Sequence, residues 1–342
     1  MKLSEFAYEL PQELIAQYPL QKRDNARLMV IDRQKQLLSH DIFHNIGKYI
    51  PTASLIVLND SKVVPARLIG KREKTNGRVE VFLLRRLSDP HLYQTLIRPL
   101  RKIKIDEKII FGDGTIYAQL KNVEERIVRF NKKDISGYIE KFGHVPLPPY
   151  IKRQDNADDK KYYQTVFARR PGSVASPTAG LHFTKELLDK LKKDGHQIAK
   201  VTLHINHATF KPVEAEDIRE HKMHSEFYSV GEKAFDSIIK AKKEKRNIIA
   251  IGTTACRVLE TIGIDLVSGK EPKLKGNTNI FIYPGYNFHL TDMLVTNFHL
   301  PYSSLLMLVY AFGGKRLMKK AYKEAIQEKY RFHSYGDAMI II

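Results

Sequence analysis

Histidine is the side chain best suited to move protons near neutral pH, and this chain places histidines repeatedly in polar turns. His182 stands between leucine and phenylalanine in "SVASPTAGLHFT" (173–184), a stretch broken by a proline and a glycine. His204 and His207 surround the end of an apolar run in "VTLHINHATF" (201–210), and His221 and His224 follow in "REHKMHSE" (219–226). His299 comes just after Asn297 in "LVTNFHLPYSSL" (294–305). Two H-x-x-H pairs raise the question of zinc. Residues three apart on a strand face opposite sides, so His204 and His207 could share a metal only if the strand ended between them. His221 and His224 would share a face only on a helix. Neither pair has the zincin pattern, with glutamate next to the first histidine and a second histidine four positions on. No metal is therefore expected. Each histidine can equally be a satisfied polar residue near the core.

A second kind of chemistry is offered by "IGTTACR" (251–257). An apolar run enters Gly252, and Thr253, Thr254 and Arg257 follow at what reads as a helix start. Open N–H groups and the positive end of the helix dipole can bind a polar or anionic ligand there. The simpler reading is a helix capped by Thr253 or Thr254. Asn297 and His299 lie at the end of another apolar run, where open α/β sheets build their sites. Three such ends, near 204, 252 and 297, can supply one rim.

These residues need a scaffold, and the pattern of apolar runs predicts one. "ASLIVLND" (53–60) reads as a buried strand. From "GRVEVFLLRRL" to "ERIVRF" the runs are short and β-rich, separated by "TNG", "SDP" and "GDG" turns, which predicts a small antiparallel barrel or sandwich. Beyond the stiff proline-rich "HVPLPPY" (144–150), helices and strands alternate. "TKELLDKLKKDG", "EKAFDSIIKAKKEKR" and "KRLMKKAYKEAIQEKY" read as helices, and "QIAKVTLHI", "NIIAI", "TNIFIYPG" and "MLVTNF" as strands. The expected plan is an α/β (α+β) main domain over 1–65 and 148–342, with an antiparallel β-barrel domain inserted at 66–147.

Composition bounds the setting. There are 57 Lys and Arg against 38 Asp and Glu, a formal charge of +19, which favours a polyanionic partner such as nucleic acid. A lysine-rich solvated surface would give the same number. A single cysteine, Cys256, excludes a disulfide framework and a cysteine-rich zinc site. The N-terminus shows no signal-peptide pattern, and "YSSLLMLVYAF" (302–312) is too short to span a membrane. A cytoplasmic monomer without a membrane anchor is expected.

Taken together and in order, several segments carry a resemblance. They are "EFAYELPQELIAQYP", "LNDSKVVPARL", "SVASPTAGLHFT", "VTLH" with "TFKPV", "HKMHSEFY", "IGTTACRVLE", "VTNFHLPYSSLLMLVYAFGG" and "KYRFHSYGDAM". The set resembles the S-adenosylmethionine:tRNA ribosyltransferase-isomerases of bacterial queuosine biosynthesis over essentially the whole chain, the barrel segment matching least. The resemblance implies an α/β domain carrying a β-barrel. It also implies transfer of the ribosyl part of S-adenosylmethionine to 7-aminomethyl-7-deazaguanine at the wobble position of a tRNA. Epoxyqueuosine is the product, with adenine and methionine released. S-adenosylmethionine is then a co-substrate, and no prosthetic group is implied. Two departures stand out. The family's glycine-rich turn after "VTLH" is here "INHATF", with Asn206 and Ala208 at the glycine positions. Lys62 replaces the usual arginine, keeping charge but losing the bidentate fork.

Such a reaction needs a base to take a proton from the carbon beside the sulfonium, a donor to the leaving adenine, and a route for the amine proton. His182, His204, His224 and His299 are the candidates, with Asp292 as a carboxylate partner. His204 is favoured as the base because it ends a rigid strand; His207 should face the other way. Substrate contacts are expected from Pro177, Thr178, Ala179 and Gly180 in the tight turn before His182. Thr253, Thr254, Arg257, Asn297 and His299 are expected to add to them, with Lys62 and Arg67 near the barrel. Two other classes stay open at this point: a zinc hydrolase, and an RNA-binding protein that uses its barrel alone.

Overall fold

A computed structural model of the chain describes residues 1–206 and 213–342. The chain divides into two compact units, one of residues 1–62, 148–153 and 162–342, the other of residues 63–147 and 154–161.

The larger unit is built on a nine-stranded mixed sheet. Its spatial order is β15 (Lys275–Thr278), β13 (Glu226–Val230), β12 (Gln197–Leu203), β3 (Leu55–Asn59), β14 (Ile248–Ile251), β16 (Met293–Asn297), β17 (Ala338–Ile341), β1 (Arg27–Asp32) and β2 (Leu37–Ile42). β12, β3, β14 and β16 run parallel, so their C-terminal ends share one edge of the sheet. β3, β14 and β16 are buried along their whole length, which is why they read as unbroken apolar runs instead of alternating ones.

Layers of helix cover both faces of that centre. On one side Leu55, Val57, Ala250 and Leu294 pack with α4 (Glu232–Lys243), α5 (Thr253–Val267), α6 (Ser304–Gly313) and α7 (Lys315–Gln327). On the other, Ile56, Leu58, Ile249 and Val295 pack with Phe43 and Ile46 and with α3 (Lys185–Lys193). The sequence explains α3 directly. Thr184 caps it by accepting from the Leu187 N–H at 3.1 Å, and Leu187, Leu188 and Leu191 form its buried stripe. Its chain then turns away at Gly195, which has φ +89°. Among the described residues no helix is long and apolar enough to cross a membrane, and "YSSLLMLVYAF" forms the short buried helix α6.

The smaller unit holds a closed six-stranded antiparallel barrel. Its strands are β5 (Arg67–Arg72), β6 (Arg78–Arg86), β7 (Leu92–Arg98), β8 (Lys108–Phe111), β9 (Ile116–Asn122) and β10 (Ile127–Phe130), in the order β10-β7-β6-β5-β8-β9. Alternation is clear in β9, where Ile116, Ala118 and Leu120 point inward to meet Val79, Val81, Phe111 and Phe130. Asn76, at φ +56°, makes the β5–β6 turn inside "TNG". Closure leaves no open sheet edge, and none of these strands joins the large sheet. A helix, α1 (Ser136–Phe142), follows the barrel, and α2 (Ala157–Tyr162) comes after the proline-rich stretch. Elsewhere β4 (Ser61–Val63) and β11 (Arg170–Ser173) form a two-stranded ribbon.

One expected strand is not formed as read. In "TNIFIYPG" regular pairing ends at Thr278, and Ile280, Phe281, Ile282 and Tyr283 pack onto the core without a ladder. Apolar side chains can be buried from irregular backbone as well as from a strand, and composition does not separate the two.

Candidate active site

The C-terminal edge of the parallel strands opens into a cleft of about 830 Å³, counted to its mouth. Six segments wall it: Tyr150, the 175–179 turn, Ile205 after β12, the start of α5, the end of β16 with its loop, and the 333–334 turn before β17. Pro177, Thr178, Ala179, Thr253, Thr254, Arg257, Asn297 and His299 are all brought together there.

β14 enters the site at Gly252, whose φ of +90° turns the chain sharply into α5. Gly252 is itself the N-cap, so neither Thr253 nor Thr254 caps the helix. The first turn of α5 therefore faces the cleft without a side-chain oxygen satisfying it, and the Thr254 hydroxyl is buried with no partner among the described residues. One turn further on, Arg257 is buried. Its Nη1 donates to the Glu226 carboxylate, while Nε and Nη2 have no partner among the described residues. A buried guanidinium with two such donors near a helix start has the chemistry to receive a carboxylate.

Asn297 organises the opposite wall. Its Nδ2 donates to His182 Nε2 and to the His333 carbonyl, both at 3.1 Å, while Oδ1 has no partner among the described residues. Because His182 Nε2 must accept, its proton sits on Nδ1. The ring packs on Phe43 at 4.9 Å, and burial, reinforced by the nearby Arg331 and Arg23 charges, pulls its pKa to about 3. His182 is thus a neutral clamp behind Asn297, and it lines a smaller pocket with Arg23 and Tyr162 instead of the cleft itself. His299 lines the cleft. Burial takes it to about 3, and its Nε2 bonds Thr296 Oγ1 at 2.8 Å.

His333 also lines the cleft, and sequence reasoning did not single it out. Its backbone has φ +71°, rare for a residue with a side chain, and its ring lies 4.0 Å from that of Tyr150. Nε2 is buried in the cleft wall with no partner among the described residues, and burial pulls the pKa to about 3. The histidine inside "KYRFHSYGDAM" was the available signal, but no periodicity marks a left-handed turn residue.

Other expected residues lie elsewhere. His204 follows β12, and it is Ile205 that lines the cleft; neighbouring residues on extended backbone point to opposite sides. The His204 ring stacks on Phe227 at 5.7 Å, and burial lowers its pKa. Asp292 precedes β16 and so sits at the far end of that strand from Asn297. Its carboxylate accepts from the Ile248 N–H at 2.8 Å, a splint between strands. His224 is exposed in a segment without helix, so it shares no helical face with His221. Gly180 is a packing glycine, since a Cβ there would come within 2.7 Å of Phe167. Lys62 is exposed, and Arg67 in the barrel unit is ion-paired with Asp155 at 2.6 Å. His207 and Ala208 lie outside the described residues. Asn206 donates its N–H to Glu226 at 2.9 Å, joining the Arg257 pair. Among the described residues no three His, Cys, Asp or Glu side chains cluster as a metal ion would require.

Comparison with known proteins agrees with this architecture. The family described as queuosine biosynthesis protein matches residues 3–341. The S-adenosylmethionine:tRNA ribosyltransferase-isomerase of a Sulfurihydrogenibium species is 53% identical over 343 residues, covering 100% of each chain. That of Caldanaerobacter subterraneus is 48% identical over 346 residues, again covering 100% of each. A crystal structure of S-adenosylmethionine tRNA ribosyltransferase from Thermotoga maritima is 37% identical, with a TM-score of 0.56. It covers 99% of this chain, and this chain covers 100% of it. With its main-sheet cleft, its separate barrel and these full-length matches, the chain belongs to the queuosine biosynthesis protein family.

Proposed function

We propose that this chain transfers and isomerises the ribosyl moiety of S-adenosylmethionine onto 7-aminomethyl-7-deazaguanine in tRNA, giving epoxyqueuosine, adenine and methionine. The observation that carries the reading is the full-length family match. The cleft supports it with groups suited to a zwitterionic, sulfonium-bearing donor. The spare donors of Arg257 and the start of α5 take the amino-acid carboxylate. Asn297, fixed by His182, offers an unpaired amide oxygen to a ribose hydroxyl or an adenine N–H.

His333 Nε2 is the proton acceptor in this reading, because it has no partner among the described residues and its residue lines the cleft. It takes a proton from the 5′ carbon beside the sulfonium, electrons shift toward the ribose, and adenine leaves. The aminomethyl group then attacks, and rearrangement with loss of methionine leaves the epoxide-bearing ring. The reaction as written needs no metal or prosthetic group. The barrel unit is read as a domain inserted at about 66–147, and the enzyme as a cytoplasmic monomer.

The test is incubation with precursor-bearing tRNA and S-adenosylmethionine. Adenine and methionine should appear in step with ribosyl incorporation, with no methyl group transferred. Methylated tRNA, or adenine release without change in the tRNA, would overturn the reading.

A further inference from the structure

Three strands at one side of the main sheet are covered fully on one face and only in part on the other. On β12, β13 and β15 the residues Val201, Leu203, Tyr228 and Val230 are buried against the helices. The alternate residues point the other way. Thr202 pairs with Ser229, and Ser229 with Lys275; Phe227 pairs with Asn277. His204 stands opposite Phe227, donating its N–H to the Phe227 carbonyl. Lys200, Lys275 and Asn277 are exposed. The layer that contains α3 packs on β3, β14, β16, β17 and β1 and reaches β12 at Ile198; Thr202 is buried and bonded to Asp60, while the positions of Lys200, Lys275 and Asn277 stay open among the described residues.

The face is basic and aromatic. A groove beside it, about 690 Å³ to its mouth, is lined by Arg169, Arg170, Lys200 and Lys233 and by hydroxyls of Ser229 and Ser237. Among the described residues that line it, the one carboxylate is Asp60. It is buried and already taken by Thr202 Oγ1 at 2.6 Å and Arg169 at 3.2 Å. Further along the face the His204 ring lies between Phe227 and Gly172, where a Cβ would sit 3.1 Å from the imidazole. The Lys275 ammonium rests 5.9 Å from the Phe227 ring. Cations beside a stacked ring pair are the pieces with which proteins hold nucleic-acid strands.

The face also ends at the cleft. His204 closes the open face and Ile205, the next residue, lines the cleft. An enzyme acting on a base must take that base out of its stack and into a pocket. We propose that the exposed part of the β12–β13–β15 face is the docking surface for the RNA substrate: its lysines and arginines hold the phosphates, Phe227, backed by His204, meets a base, and the strand end leads the reacting nucleotide over Ile205. This rests on the proposed function, because it presumes that RNA is the substrate. His204 then acts in RNA positioning, with the proton chemistry left to the cleft.

The test compares the full-length protein with the double variant Lys200→Glu/Lys275→Glu. A control, Lys319→Glu/Lys323→Glu, makes the same change in net charge on exposed positions of α7. tRNA affinity is measured between 50 and 200 mM salt, and S-adenosylmethionine affinity by calorimetry. Losing two phosphate contacts lowers the logarithmic salt slope by about 1.8, so the wild-type advantage should be about tenfold larger at the low-salt end. The control should change much less, and donor affinity should stay at the wild-type value in both. Equal weakening by face and control variants overturns the assignment in favour of general charge. Unchanged tRNA affinity in the face variant overturns it and leaves the surface to an acidic protein. If wild type binds no tRNA, the proposed function and this inference fall together.

Discussion

Arg257 gives the sharpest test of how the donor is held. Truncation to alanine would be a poor probe, because it would leave the Glu226 carboxylate buried without its cation, at a cost of about 3–5 kcal/mol in folding. Arg257→Lys keeps a positive charge beside Glu226 but removes the planar fork. Nε and Nη2 are the two donors without a partner among the described residues, and a carboxylate can engage both. Lysine can replace one such contact at most. A hydrogen bond to a charged group is worth about 1.5–3 kcal/mol, so donor affinity should fall roughly 10- to 150-fold. Calorimetry with S-adenosylmethionine and with its decarboxylated analogue separates the causes. Wild type should prefer the carboxylate-bearing ligand by about that factor, and the variant should lose most of the preference. If Arg257→Lys weakens both ligands equally, the guanidinium does not read the carboxylate and the donor lies differently in the cleft.

Five further outcomes follow, four of them from particular groups. His333→Asn keeps a residue that tolerates positive φ but removes the imidazole, so kcat should drop by about 10²–10⁴-fold with little change in donor affinity; a near-normal kcat removes His333 from the proton step. Because burial holds His333 near 3, its neutral form persists well below pH 6.5, and kcat/KM should show no histidine limb between pH 8 and 5. His182 and His299, buried and lowered to about 3, bind protons in the unfolded chain before the folded one, so stability should fall as pH drops below about 6.5 toward 3. The slope is about 2.7 kcal/mol per pH unit for the two, and equal denaturation midpoints at pH 7 and 5 would contradict it. Gly180→Ala drives a Cβ into Phe167 and Thr165 and should destabilise by about 1–3 kcal/mol in denaturant titrations; an unchanged midpoint means the turn yields freely. Finally, tRNA affinity should fall steeply over about 50–200 mM salt, and a flat response would assign the +19 charge to a solvated surface.

Much of the site was legible because strand ends are. "NIIAIGTT" and "MLVTNF" each run apolar into polar residues, and the fold brings both ends to one cleft. Where an expected residue lies away from the cleft, the reason is specific. Asp292 and Asn297 flank and end one strand, and five residues of extended chain put them about 16 Å apart, at opposite edges of the sheet. His204 and Ile205 differ by one position, which on extended backbone is the difference between two faces. Gly180 in its turn suggested close ligand approach, yet the close neighbours are Phe167 and Thr165. His333 reaches the cleft wall from a left-handed backbone that only tertiary context enforces. The barrel, by contrast, rests on period-two alternation and local turns, both of which are properties of short sequence.

The position of β17 sets a timetable for the enzyme's synthesis. This strand, Ala338–Ile341, lies between β1 and β16, parallel to the first and antiparallel to the second. The 333–334 turn that leads into it forms one wall of the cleft. A ribosome making the protein releases the barrel strands while more than half of the chain is still unmade, and local pairing lets them close early. The β1–β2 hairpin must meanwhile wait some three hundred residues for its neighbour. Until β17 emerges and docks, Asn297 has no His333 carbonyl to hold it and the donor site lacks a side. Nascent chains can therefore fold a barrel long before they can bind the donor, and ribosome-stalled chains cut before β17 should be inert toward S-adenosylmethionine.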